Sequence, residues 1–133
     1  MQDINMYCLT IYDDHLDLIR KIGYLPVGLG ENIKSKGFIR ENINLNISKK
    51  NPYYGEYTFH YWLWKNNLIN LEDKWIGFCQ YRKFWTVNKT VDDFINFSDF
   101  SNSLLKKIPD NYSNYESIIG EPLFVNKFKF SKF

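Results

Sequence analysis

The sequence predicts an α/β domain built on a parallel sheet, a Rossmann-like layer of strands with flanking helices. Three observations carry this: a strand–helix–strand pattern within residues 4–29, a nearly unbroken apolar run at 75–81, and a helix-like aromatic segment between them.

Residues 4–12 (INMYCLTIY) are apolar and β-prone and read as the first strand. Asp13 and Asp14 then supply a helix N-cap and acidic first-turn residues. Leu16, Ile19 and Ile22 recur at helical spacing, and Gly23 stands where a C′ residue is wanted. Residues 24–29 (YLPVGL) follow as a second strand, and such a βαβ unit crosses over right-handed into a parallel sheet. Residues 30–50 are polar and without periodicity, a loop with one short strand turn near 37–40. A loop this long in a compact domain is functional or is ordered by a ligand. Asn51 and Pro52 open a helix, with Asn at the N-cap and Pro at N1, expected to run to about Leu68. The run 75–81 (WIGFCQY) predicts a strand buried on both faces. Residues 91–108 predict a further helix ended by Pro109, and 115–125 (YESIIGEPLFV) another strand, interrupted at Gly120 and Pro122. The chain then stops in an amphipathic stretch, which reads as an incomplete domain.

At 133 residues the chain is about one domain. Its net charge of +2 comes from scattered Lys and Arg, so there is no electrostatic footprint for nucleic acid. The tail 127–132 alternates basic and aromatic residues; it either touches an anionic surface or forms a solvated or strand-like end. Cys8 and Cys79 lie in apolar runs with no Cys-x-x-Cys spacing. They read as buried thiols in a reducing compartment, and a zinc site is not expected. No apolar run reaches the ~18 residues of a transmembrane segment, and the N-terminus lacks a signal-peptide core, so a cytoplasmic protein is expected. The aromatic content of 19% is high. Abundant Asn, Ile, Lys, Phe and Tyr are what an AT-biased gene would produce, so the clustering of Trp62, Trp64 and Trp75 is the better signal.

The segment NPYYGEYTFHYWLWKN, residues 51–66, holds the densest aromatic cluster. On a helical wheel at ~100° per residue, Tyr57, Tyr61, Trp64 and Leu68 share one sector and Phe59, Trp62 and Leu63 another. Glu56, His60 and Asn67 lie in the seam between, with Thr58 and Lys65 on the opposite side. Two apolar faces predict a helix sandwiched between the sheet and another layer. Glu56 and His60, one turn apart, can meet. They are either a carboxylate–imidazole pair suited to acid–base chemistry or mutually satisfied partners in a structural seam. Tyr and Trp could stack on a sugar or base, though core packing is the commoner role.

The run WIGFCQYRKFW passes from buried strand into Gln80, Tyr81, Arg82 and Lys83. Ligands of parallel α/β sheets bind beyond the carboxyl ends of strands. Arg82, alternating onto one side with Gln80 and Phe78, either offers its fork to a phosphate or carboxylate or pairs with a nearby acid. No dinucleotide fingerprint, P-loop, nucleophile elbow or Asp-x-Asp is present. Asp13–Asp14 and Asp92–Asp93 read as helix starts.

The block NISKKNPYYGEYTFHYWLWKN followed by KWIGFCQYRKFW resembles a family of glycosyltransferase-like proteins, a domain-of-unknown-function family encoded in capsular and exopolysaccharide gene clusters. The likeness is close over residues 46–85 and loose over the N-terminal βαβ unit. Two positions depart from the family pattern: Leu45 stands where Asp is common, and Gln80 where His is common. Family members are about twice this length, so the resemblance implies that a C-terminal half is missing. It further implies a GT-A fold, that of nucleotide-diphospho-sugar transferases, with a nucleotide-sugar donor and a glycan acceptor as partners. Tyr7, Thr10 and Gly30 would border the nucleotide. Asn46, Tyr54, Gln80, Tyr81, Arg82 and Lys83 would complete the donor site, with Glu56 and His60 as candidate catalytic groups in the sugar pocket. Arg82 and Lys83 would supply the charge that a metal supplies in relatives; a divalent metal remains open as a cofactor. The competing reading is a non-catalytic remnant or a carbohydrate- or nucleotide-sugar-binding module, and a third is a purely structural fragment.

Overall fold

The structure, a computed structural model, describes residues 1–69, 75–87 and 96–121. Four parallel strands run in the order β3-β2-β1-β4: β1 (Gln2–Thr10), β2 (Leu25–Gly28), β3 (Ile39–Arg40) and β4 (Trp75–Gln80). A short β5 (Lys107–Ile108) pairs antiparallel with the start of β1, opposing Ile108 to Gln2. β1 is central because its sequence can be buried on both sides. Met6 and Cys8 pack into one apolar cluster, Leu9 into the other. The register pairs Thr10 with Gly28 and Leu9 with Gln80, so the carboxyl ends of β1, β2 and β4 form one edge.

The first crossover forms as the sequence predicts, with one difference at its start. Helix α1 (Leu16–Lys21) is preceded by a 3-10 turn at Asp13–His15 that carries no side-chain cap. The Asp13 carboxylate instead accepts N–H bonds from Lys34 and Ser35, the latter at 3.0 Å. Those bonds, Ser35 foremost, hold it below the usual carboxylate range and tie the long loop to the helix start. At the other end Gly23 takes φ +81°, and Tyr24 N–H returns to Ile19 O at 3.2 Å, a Schellman closure.

The aromatic segment is not one helix. It divides into α2 (Asn51–Tyr54) and α3 (Tyr57–Lys65), because Gly55 adopts φ +53° and Asn51 Nδ2 donates to its carbonyl at 2.9 Å. Asn51 is therefore inside the first turn and not its N-cap. α3 buries Thr58, Phe59, Trp62 and Leu63, while Tyr57 and Trp64 are 65% and 63% exposed. The expected second buried face, Tyr57/Tyr61/Trp64/Leu68, thus turns largely to solvent, and Lys65 Nζ sits 3.8 Å from the centre of the Trp64 ring. Thr58, placed on the polar side by the wheel, is fully buried.

Three other expectations change. β4 is only half-buried over most of its length, because among the described residues it has a strand partner on one side alone. Of the helix foreseen over 91–108, residues 91–95 lie outside the described residues, 97–103 form α4 (Phe97–Ser103), and the forecast C-terminal end is β5, drawn off by pairing with β1. Residues 115–121 form no strand, and 122–125 and the 127–132 tail lie outside the described residues.

Packing on the α3 side centres on Phe59, fully buried between Tyr7, Trp62 and Phe78 at ring separations of 5.4, 5.7 and 6.3 Å. On the α1 side, buried Tyr24 donates its hydroxyl to Leu105 O at 2.9 Å, pinning the C-terminal segment to the sheet. Gly77 lets the Met6 side chain lie close to β4, since a Cβ there would stand 2.7 Å from Met6 Sδ and make that side chain shift. Cys8 and Cys79, opposite each other in register, are free buried thiols; the Cys8 thiol and burial together push Cys79 well above its ordinary range. Among the described residues no helix is long and apolar enough to cross a membrane.

Phe59→Ala is expected to lower unfolding free energy by about 3–5 kcal/mol and Trp64→Ala by under about 0.5 kcal/mol, read by urea denaturation. Equal losses would mean that the exposed face of α3 is covered.

Candidate functional site

The parallel register collects side chains from separate strands at the carboxyl edge of the sheet. β1 ends at Thr10, whose hydroxyl oxygen accepts the Tyr12 N–H at 3.1 Å and lies 2.7 Å from His15 Nδ1. His15 stacks on Tyr81 (4.5 Å, 27°), and Tyr12 meets both rings edge-on at 5.3 and 5.5 Å. The three rings form a layered aromatic shelf drawn from the β1–α1 turn and the end of β4.

β4 ends more abruptly than its sequence predicts. Lys83 N–H donates to Gln80 O at 2.9 Å and Gln80 N–H to Lys83 O at 3.2 Å, closing a tight turn over Tyr81 and Arg82. Arg82 therefore does not continue the alternation of Phe78 and Gln80. It sits at the turn tip, exposed, with its guanidinium 5.6 Å from the Tyr81 ring centre. Among the described residues it makes no ion pair. Thr10, Gln80, Tyr81, Arg82 and Lys83 thus come together, with His15 and Tyr12 added.

The remaining candidates are placed differently. Tyr7 is three residues short of the strand end; its ring faces α3, stacked on Phe78 at 5.8 Å, and burial raises its phenol. Gly30 borders the edge at φ +71°, but its N–H donates to Glu41 Oε1 at 3.1 Å and its carbonyl accepts from Arg40 Nη2. Asn46 spends its amide within its own turn, on Ser48 and on Asn44 O. Tyr54 is exposed at the end of α2. Among the described residues, no side-chain hydrogen bond or ring contact joins these four to the Arg82 turn.

Glu56 and His60 are brought near each other without being bonded. α3 runs back against the strands, so its first turn, with Glu56 just before it, points toward the carboxyl edge. One turn on, His60 packs edge-on against Phe78 at 4.4 Å and Tyr57 at 5.8 Å. Its Nε2 is buried with no hydrogen-bond partner among the described residues. Burial holds the imidazole below its ordinary range, and the Glu56 charge only partly offsets this. A neutral imidazole at pH 7 is the form a general base requires.

Two residues escaped the sequence reading. His15 looked like a helix-start residue; its role depends on Thr10 and Tyr81, which only the sheet brings to it. Glu41, fully buried between Gly30 and Thr58, had no local signal in a polar loop. Among the described residues no group of three His, Cys, Asp or Glu side chains is placed to hold a metal ion. A cavity of ≈ 850 Å³ lies elsewhere, between β1, β4 and the segment 115–118, walled in part by Ile4, Trp75, Ile76, Trp85 and Ile118.

A family model described as a domain of unknown function, DUF4422, matches residues 8–127. No curated protein and no solved structure matches the chain.

The His60 shift has a definite sign. A depressed folded-state value means stability that is fully present above about pH 6.5 and is lost as pH falls through the folded value. NMR titration is expected to place His60 below about 6.5, and His60→Phe to flatten that acid-side loss; a His60 midpoint above about 6.5 would contradict the burial argument.

Proposed function

The chain belongs to the DUF4422 family, and from that premise we propose that it binds a nucleotide-diphospho-sugar at the carboxyl edge of its sheet, as part of a GT-A-type glycosyltransferase in capsular or exopolysaccharide synthesis. The observation that carries the proposal is Arg82: a guanidinium at the carboxyl edge, without an ion pair among the described residues, beside the Tyr12/His15/Tyr81 shelf. An aromatic plane suits a nucleobase, and a fork of N–H donors suits a diphosphate. Lys83, on the same turn, adds positive charge.

In such a transfer the bond between the anomeric carbon and the diphosphate oxygen breaks, and the leaving nucleoside diphosphate keeps the electron pair. An acceptor hydroxyl forms the new bond and loses its proton to a base. Arg82 and Lys83 would stabilise the charge growing on the leaving group where others use a metal. His60, neutral near pH 7, and Glu56 are the candidate bases. The resemblance of residues 46–85 to glycosyltransferase-like proteins supports the same reading.

A second reading, donor or glycan binding without turnover, draws on a specific observation. Glu56 and His60 make no mutual hydrogen bond, and His60 Nε2 is turned away from solvent.

Calorimetric titration with a panel of nucleotide-diphospho-sugars is expected to find saturable binding, weakened about tenfold or more by Arg82→Ala (a loss of about 1.4 kcal/mol) and untouched by Trp64→Ala. Equal affinity of Arg82→Ala and wild type would sink the proposal. Saturable donor binding with no donor turnover by the wild-type chain would favour the non-catalytic reading, whereas turnover that His60→Ala abolishes while binding persists would support the catalytic one.

A further inference from the structure

A fully buried carboxyl group joins the loop after β2 to the break between α2 and α3. Glu41 is 0% exposed; Oε1 accepts the Gly30 N–H at 3.1 Å and Oε2 lies 2.8 Å from Thr58 Oγ1. Thr58 Oγ1 has two further neighbours, Gly55 O at 3.0 Å and Asn51 Nδ2 at 3.1 Å. The amide of Asn51 donates. That leaves two oxygens facing a hydroxyl that owns one proton. The Gly55 carbonyl has no proton to give. Every contact becomes a hydrogen bond only if Glu41 supplies its own: Oε2–H donates to Thr58, and Thr58 O–H donates to Gly55.

Arg40, the charged group that faces Glu41, behaves in the same sense. An ionised glutamate would be expected to capture it. Its Nη atoms instead donate to the carbonyls of Ile33 and Gly30, its Nε is buried with no partner among the described residues, and it forms no ion pair with Glu41.

We propose that Glu41 is a positioning residue held as a neutral carboxylic acid, which with Arg40 clamps the Gly30 peptide and locks the α2–α3 kink to the carboxyl edge. The clamp reaches the edge directly: Leu29, next to Gly30, donates its N–H to Thr10 O at 2.8 Å. The inference does not depend on which ligand the edge takes.

Burial is the largest influence on Glu41 and raises it above the ordinary carboxylate range, outweighing the Gly30 and Thr58 bonds and the Arg40 charge. A raised folded-state value gives stability that is complete below the unfolded value, about 4.3, and is lost as pH rises through the folded value.

The test compares wild type, Glu41→Gln and Glu41→Ala of the full chain by thermal unfolding across pH 4 to about 9. Gln reproduces the neutral acid, an oxygen for Gly30 N–H and an N–H for Thr58. The expected result is that Glu41→Gln folds and matches wild type at low pH, and that the Tm difference, wild type minus Glu41→Gln, falls as pH rises. Glu41→Ala is expected to lose Tm at every pH, and an infrared difference spectrum of wild type against Glu41→Gln to contain a protonated-carboxyl band. A Tm difference that grows with pH, no protonated band, or Glu41→Gln as unstable as Glu41→Ala at pH 7 would overturn the proposal.

Discussion

Parallel pairing of β1 with β2 on one side and β4 on the other is the constraint on which the rest of the structure depends. It buries β1 on both faces, so Met6 and Cys8 serve one apolar cluster while Leu9 serves the other. It also sets polarity. Because all three strands point the same way, their ends coincide, and residues as distant in sequence as Thr10, Gly30 and Arg82 reach one edge. The exposed ion pairs of Met1 with Asp110 and Lys107 with Asp3 sit at the opposite end and contribute little beside this burial.

Given that edge, chemistry follows from which groups are already used. Gly30 lies there, but both its peptide groups are held by Glu41 and Arg40, so it acts as a braced wall. His15 has one nitrogen engaged by Thr10 and its plane held by Tyr81. Arg82 is engaged by neither acid nor carbonyl among the described residues. A rigid aromatic layer beside an uncommitted guanidinium is an arrangement whose electrostatic potential favours an anion with a flat group attached.

Residues 4–29 were legible because local signals agree there: a β-prone run, helical spacing, and Gly23 at a helix end. The aromatic segment was less legible. Periodicity located its buried side through Phe59, Trp62 and Leu63, yet Gly55 was read as part of a helix because nothing local reveals a positive φ enforced by Asn51. Thr58 looked solvent-facing because its partner, Glu41, is distant in sequence. The strand end at Arg82 was found by pattern, while its geometry was set by a Gln80–Lys83 turn that strand alternation could not foresee. His15 was overlooked for the same reason as Glu41: each acquires its role from non-local contacts. Lys107 and Ile108 were read as helix because pairing with Asp3 and Gln2 is invisible in their own neighbourhood.

A nucleotide seated at the carboxyl edge is the premise of the proposed function. Amide chemical-shift mapping of the full chain with a nucleoside diphosphate tests this most directly. The largest shifts are expected at Tyr12, Asp13, Asp14 and His15 and at Gln80, Tyr81, Arg82 and Lys83. Shifts centred instead on Trp75, Tyr115 and Ile118 around the cavity between β1, β4 and the segment 115–118, or none at saturating ligand, would contradict a nucleotide site at that edge.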